Sequence, residues 1–108
     1  MADEVLYKRP NEKVRYTYDF TPKLADTDTA LSAISTSNVS AVDEEGNDAS
    51  STVVANKSIS GLILSADLIA GTDGKDYLVT YKGVGSTSSN PREWVVEMRV
   101  RSKVVGNV

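Results

Sequence analysis

The side chains best placed for chemistry are acids gathered in one short turn. Asp43, Glu45, Asn47 and Asp48 are hard oxygen donors of the kind that Ca²⁺ prefers. An EF-hand loop, however, needs a glycine at its sixth position and a bidentate glutamate at its twelfth. Gly46 stands in the wrong place and no glutamate follows where one is needed. The stretch DEEGND therefore reads as a solvated acidic turn in which Gly46 takes positive φ. Asp26 and Asp28 would join such a site only if the fold brought separate loops together.

Nucleophilic catalysis finds no support either. Serines and threonines abound, but with neither histidine nor cysteine there is no ordinary activating base, no disulfide and no thiolate. Glu44 and Glu45 are adjacent and point opposite ways in an extended chain, unlike the facing carboxylates of a glycosidase. The glycines of GTDGKD and KGVGS match neither phosphate-cradling fingerprint and precede strands rather than helices. Asn38-Val39-Ser40 and Asn56-Lys57-Ser58 fit the glycosylation acceptor pattern, which a serine-rich chain meets by chance. No enzyme, cofactor or metal site is expected.

Positioning elements come next, and they are strands. In the last of them Trp94, Val96, Met98 and Val100 share one face, while Val95, Glu97, Arg99 and Arg101 share the other. Tyr77, Val79 and Tyr81 make the matching stripe in the strand before it, across the polar loop VGSTSSNPR. Near the start, Val14, Tyr16, Tyr18 and Phe20 alternate with Lys13, Arg15, Thr17 and Asp19, and Pro22 ends the run. Further strands are expected from about Ala30 to Val42, irregular because Ile34 and Val39 fall out of phase, and over Ser51 to Ala55 and Ser58 to Ser65. A helical turn around Thr27 to Leu31 is the alternative to a loop there. Ile69-x-x-x-Asp73-Gly74-x-x-Tyr77 has the spacing of a tyrosine corner. With no cysteine pair, and with Trp94 on the final strand, an antibody-type domain is not indicated.

The expected fold is thus all-β, an immunoglobulin-like antiparallel β-sandwich of six or seven strands. Residues 1–12 are expected to form an extended N-terminal arm, 13–104 the sandwich and 105–108 a C-terminal tail. The 108-residue length suits one domain with a modest core. No apolar run is long enough to span a bilayer as a helix, and the start, acidic and then basic, lacks the apolar core of a signal peptide. Its Met1 suggests a whole gene product. Net charge is −3, with seven acids against Lys23 alone between Asp19 and Asp48, while Arg99, Arg101 and Lys103 lie near the end. The acidic total argues against nucleic-acid binding, and the asymmetry suits orientation against a partner.

Lys8-Arg9-Pro10-Asn11-Glu12, Tyr16-Thr17-Tyr18-Asp19-Phe20, Asp28-Thr29-Ala30, Leu64-Ser65, Tyr77-Leu78-Val79-Thr80 and Glu97-Met98-Arg99-Val100-Arg101 follow one another in a telling order. In that order the chain resembles small immunoglobulin-like structural proteins of tailed bacteriophages and prophages, from head–tail or tail–fibre adaptor modules. It departs from that pattern in DEEGNDASSTVV and in a lengthened ADLIAGTDG. The resemblance implies a non-enzymatic virion component that acts by protein–protein binding and self-assembly. Its partners would be other virion proteins or further copies of itself, with no nucleic acid and no membrane. It would reside in the virion, and in the bacterial host cytoplasm before assembly. Leu6, Tyr7, Arg99 and Arg101 are the expected interface residues. The alternative is an adhesion module that binds a host-surface protein or carbohydrate through the polar loops at 83–92 and 43–51.

Overall fold

The structure, a computed structural model, describes residues 3–24, 28–33 and 37–102. Among them seven strands occur in chain order: β1 (Glu4–Lys8), β2 (Val14–Asp19), β3 (Asn38–Asp43), β4 (Val54–Ser60), β5 (Ile63–Leu68), β6 (Asp76–Val84) and β7 (Pro91–Val100). Two helical turns, α1 (Thr21–Leu24) and α2 (Ser50–Val53), interrupt them. The strands form two sheets, one ordered β1-β7-β6-β3 and the other β2-β5-β4. The chain is all-β, as the period-two stripes require.

Those stripes face the shared core. Tyr77, Val79 and Tyr81 of β6 and Val96, Met98 and Val100 of β7 are buried against Leu64, Ala66 and Leu68 of β5. Tyr16, Tyr18 and Trp94 pack onto that core from its margin. The tyrosine corner is formed: the Thr72 amide donates to the Tyr77 hydroxyl at 3.0 Å, in a corner where Gly71 and Gly74 hold positive φ.

One pairing departs from the antiparallel expectation. β1 runs parallel to β7, with Glu4 beside Val96 and Lys8 beside Val100. Chain connection explains it. β2 begins at Val14, opposite Leu68, and Lys8 already lies against the neighbouring Ala70. A parallel β1 therefore ends where β2 must start, and the turn closed by the Glu12 amide on the Arg9 carbonyl (3.1 Å) carries the chain between sheets. So the segment expected as an arm contains a strand that pairs within its own chain.

The middle of the chain also differs from expectation. Ser50–Val53 is a helical turn rather than a strand, with Asp48 accepting the Ser50 amide at 3.0 Å. Val53 and Val54 are consecutive and both buried, which a continuous half-buried strand does not allow. A turn that passes into a strand does. The expected strand from Ala30 is limited to Asn38–Asp43, with Leu31 making only an isolated bridge to Gly85. Ile34, Asp26, Thr27, Lys103 and the tail at 105–108 lie outside the described residues. Ser58 to Ser65 is a hairpin rather than one strand. Ser60 faces Ile63 across Gly61, whose φ of +60° suits the first position of a two-residue turn.

Candidate docking surfaces

The outer face of the four-stranded sheet gathers the exposed apolar side chains. Val5, Tyr7 and Leu78 are each at least 40% exposed. Register places Val5 beside Glu97, Glu97 beside Leu78 and Leu78 beside Val42, giving one row across all four strands. The next row holds Tyr7, Arg99 and Asp76. Arg99 donates to the Tyr7 hydroxyl at 2.9 Å and to Glu97 at 2.8 Å, with its guanidinium 5.6 Å from the Tyr7 ring centre. Glu97 and then Tyr7 hold that guanidinium in its charged form more firmly than usual. This partly desolvated cation beside an exposed ring is a feature that protein interfaces favour.

The expected interface residues thus separate. Tyr7 and Arg99 share this outer face, Leu6 turns inward to pack against the core, and Arg101 sits at the rim, bonded to Asp76 at 2.8 Å. An open groove of about 280 Å³ continues the face towards β3, lined by Asp43, Glu44, Asp76, Leu78 and Glu97. Its acids are largely occupied. Asp43 accepts the Asn47 amide and then the Glu45 amide, which hold its carboxyl below the usual range, while Asp76 and Glu97 pair with arginines. Among the described residues no group of three or more metal-ligating acids is arranged to hold an ion.

Two further arrangements fix the surfaces in place. At the sandwich margin Trp94 stacks on Tyr18 with ring centres 4.5 Å apart and donates from Nε1 to the Tyr16 hydroxyl at 2.9 Å. That hydroxyl donates to Glu4 of β1, tying the first strand to the second sheet. Burial and the Glu4 bond push the Tyr16 phenol up to about 12. Lys8 is only 1% exposed, and its Nζ donates to the carbonyls of Ala70 (2.6 Å) and Arg9 (2.7 Å). Desolvation pulls its ammonium below the ordinary lysine value.

Asp28 holds the loop between β6 and β7. It is 3% exposed, and its Oδ1 accepts the Thr87 and Ser88 amides at 2.8 and 2.9 Å, while Oδ2 accepts the Ser88 hydroxyl at 2.6 Å. Ser86, Thr87, Ser89 and Asn90 stand exposed on this braced loop. Sequence reasoning considered Asp28 as a distant contributor to a metal site and as part of the Asp28-Thr29-Ala30 stretch, and missed this role. No spacing signal ties an aspartate to a loop so far along the chain.

Many residues that carry the phage resemblance prove to be scaffolding. Lys8 anchors β1, Glu12 accepts the Arg9 amide in the following turn, Asp19 accepts the Thr21 amide at the start of α1, and Asp28 braces a loop. A comparison with curated proteins finds no match. Residues 8–101 match the family described as the podophage GP4 fiber-tail adaptor protein gp77. That match covers most of the chain, from the buried Lys8 to the end of the last strand. The chain belongs to this fiber-tail adaptor family.

Proposed function

We propose that the chain is a non-enzymatic joint of the virion, which binds fibre-side and tail-side components through the outer face and edge of its four-stranded sheet. The family supplies the adaptor role. The observation that carries the mechanism is the grouping of Val5, Tyr7 and Leu78 on one outer face, beside the Arg99–Glu97 pair. Exposed apolar side chains collected on one surface favour association. Tyrosine and arginine are residue types on which interface energy concentrates. Leu6 contributes from beneath, by fixing the register of β1, and Arg101 by holding the rim.

The sandwich itself supports an immunoglobulin-type reading. β2, β4 and β5 lie in one sheet and β3, β6 and β7 in the other, as in that fold, and the tyrosine corner is present. The first strand differs, lying beside β7. The braced loop at 85–90 favours a second contact at the end of the sandwich, since a preorganised polar loop loses little entropy on binding.

Sedimentation of labelled chain with podophage tail particles tests the reading. The wild-type chain should co-sediment, and Tyr7→Ala combined with Arg99→Ala should reduce binding while the thermal melt stays cooperative. Equal binding by that double variant would place the contact elsewhere.

A further inference from the structure

The first strand is its own complement. Residues 3–9 read Asp-Glu-Val-Leu-Tyr-Lys-Arg, two acids, three apolar residues and two bases. We propose that two copies of the chain pair β1 against β1, antiparallel about a two-fold axis at Leu6, so that their four-stranded sheets join into one. The partner is a second copy of this chain, and the inference rests on the docking role proposed above for this edge.

The backbone comes first. Among the described residues β1 lies at the end of its sheet with β7 as its one neighbour. The Lys8 carbonyl accepts the Arg101 amide at 2.8 Å, so Lys8 directs its main chain towards β7. Alternation along a strand then turns the amides and carbonyls of Val5 and Tyr7 outward, where they need partners.

Side chains fix the partner and its direction. Antiparallel pairing about Leu6 sets Asp3 opposite Arg9, Glu4 opposite Lys8, and Val5 opposite Tyr7. Val5 and Tyr7 are exposed, so their contact is available at the surface. Asp3 and Arg9 are exposed too, although Asp3 is tied to Val95, whose amide its Oδ2 accepts at 2.8 Å, so that Arg9 would meet the other carboxylate oxygen. Glu4 and Lys8 are already engaged within the chain, and their pairing adds little. Symmetry makes each contact twice. An aromatic residue opposite a β-branched one, and opposite charges across strands, are stabilising cross-strand pairs. Parallel, in-register pairing would set acid against acid and base against base. The sequence therefore selects one orientation.

The other three edges are blunted. Beside β3 lies the 47–50 segment, with a Val42–Asp48 bridge and the Ala49 amide on the Ala41 carbonyl. β4 is broken by a register shift between Ala55 and Ser58, where Asn56 takes positive φ. β2 turns Arg15 and Asp19 outward and is preceded by exposed Lys13. Bulges, charges and covering segments are the usual protections of a sheet edge. On β1 the outward face carries Val5 and Tyr7 instead.

The test uses the full chain, which has no cysteine of its own. Light scattering over a concentration series should show a species of twice the 11.6 kDa chain mass. Tyr7→Lys, an exposed change that leaves the core untouched, should return it to monomer with its circular dichroism unchanged. Arg9→Glu should weaken the dimer about tenfold through its two symmetric pairs, and adding Asp3→Lys should restore part of that loss, since it also removes the acceptor of the Val95 amide. On mild oxidation, a mixture of V5C and Y7C chains should cross-link mainly as mixed pairs, since directly opposed residues sit about 5.5 Å apart, within disulfide reach. A chain that stays monomeric throughout, a dimer indifferent to Tyr7→Lys and Arg9→Glu, or cross-links dominated by like pairs would each overturn the proposal. A monomer that still sediments with tail particles would sink this pairing and leave the docking role standing.

Discussion

Removing the Asp28 carboxylate should loosen one end of the sandwich and lower its stability sharply. The residue is buried and accepts three hydrogen bonds from the 85–90 loop, at 2.8, 2.9 and 2.6 Å. Bonds to an ionised group contribute about 1.5–3 kcal/mol each, and their donors must find other partners when it goes. Thr87 is exposed and Ser88 half-buried, so water reaches their amides and the low end of that range applies. The expected cost of Asp28→Ala is therefore about 4–5 kcal/mol. For a domain of this size that lowers Tm by roughly 16–20 °C. Asp28→Asn keeps an oxygen for the two amides but loses the charge and forces the Ser88 hydroxyl to turn, at about 1–2 kcal/mol. Thermal melts give the stabilities. Hydrogen exchange at the Thr87 and Ser88 amides gives the location, because a freed loop exchanges faster than the strands. If Asp28→Ala moved Tm by less than about 4 °C, or left both amides protected, the bracing argument would fail.

Other consequences follow from the same contacts. Gly85→Ala should mimic loss of Asp28, because a Cβ there would overlap the Asp28 carboxylate; a variant as stable as wild type would show that the loop yields easily. Trp94→Phe should cost about 1 kcal/mol, since it keeps an aromatic ring near Tyr18 but removes the Nε1–H bond to Tyr16, and a denaturant titration measures it. Alkaline titration should destabilise the fold. The Tyr16 phenol is raised to about 12 and Tyr81 is also raised, so the neutral forms are favoured in the fold. Their contribution is complete below the unfolded value near 10, falls as pH climbs through about 12 for Tyr16, and persists to higher pH for Tyr81. In acid the sign reverses. Asp19, Asp43 and Asp48 through the bonds above, Asp67 through donors on Asn56 and Arg15, and Asp73 through the Ser102 amide are all held below 3.8, so their contribution is present above that value and is lost as pH falls through their folded values. A Tm unchanged between neutral pH and the acid range would contradict the hydrogen bonds assigned to them.

The apolar stripes were legible because burial acts directly on the residues that it selects. Tyr77, Val79, Tyr81, Val96, Met98 and Val100 alternate in the sequence and all six are buried. The tyrosine corner was legible for the same reason, since its partners lie within a few residues. Contacts between distant segments were not. Nothing local tells Asp28 to reach the loop after β6, or Lys8 to lie against Ala70. The direction of β1 depends on where β2 must begin, which is a property of the closed sandwich. Around Ser50 to Val53 the β-branched residues suggested a strand, but Asp48 and Ser50 offered the backbone a turn instead. At the docking surface, the outward place of Arg99 was legible from strand alternation, but its contact with Tyr7, which was expected in an arm, was not. The inward packing of Leu6 depended on pairing with Met98 in a register that only the assembled sheet defines.

A bridging assay bears most directly on the central claim. Tail particles are immobilised, the chain is added, and retention of free tail fibre is measured with and without it. An adaptor acting through its outer sheet face should retain fibre only when it is present, and less so with Tyr7→Ala and Arg99→Ala. Fibre retained equally without the chain, or a chain bound to neither component, would contradict the account.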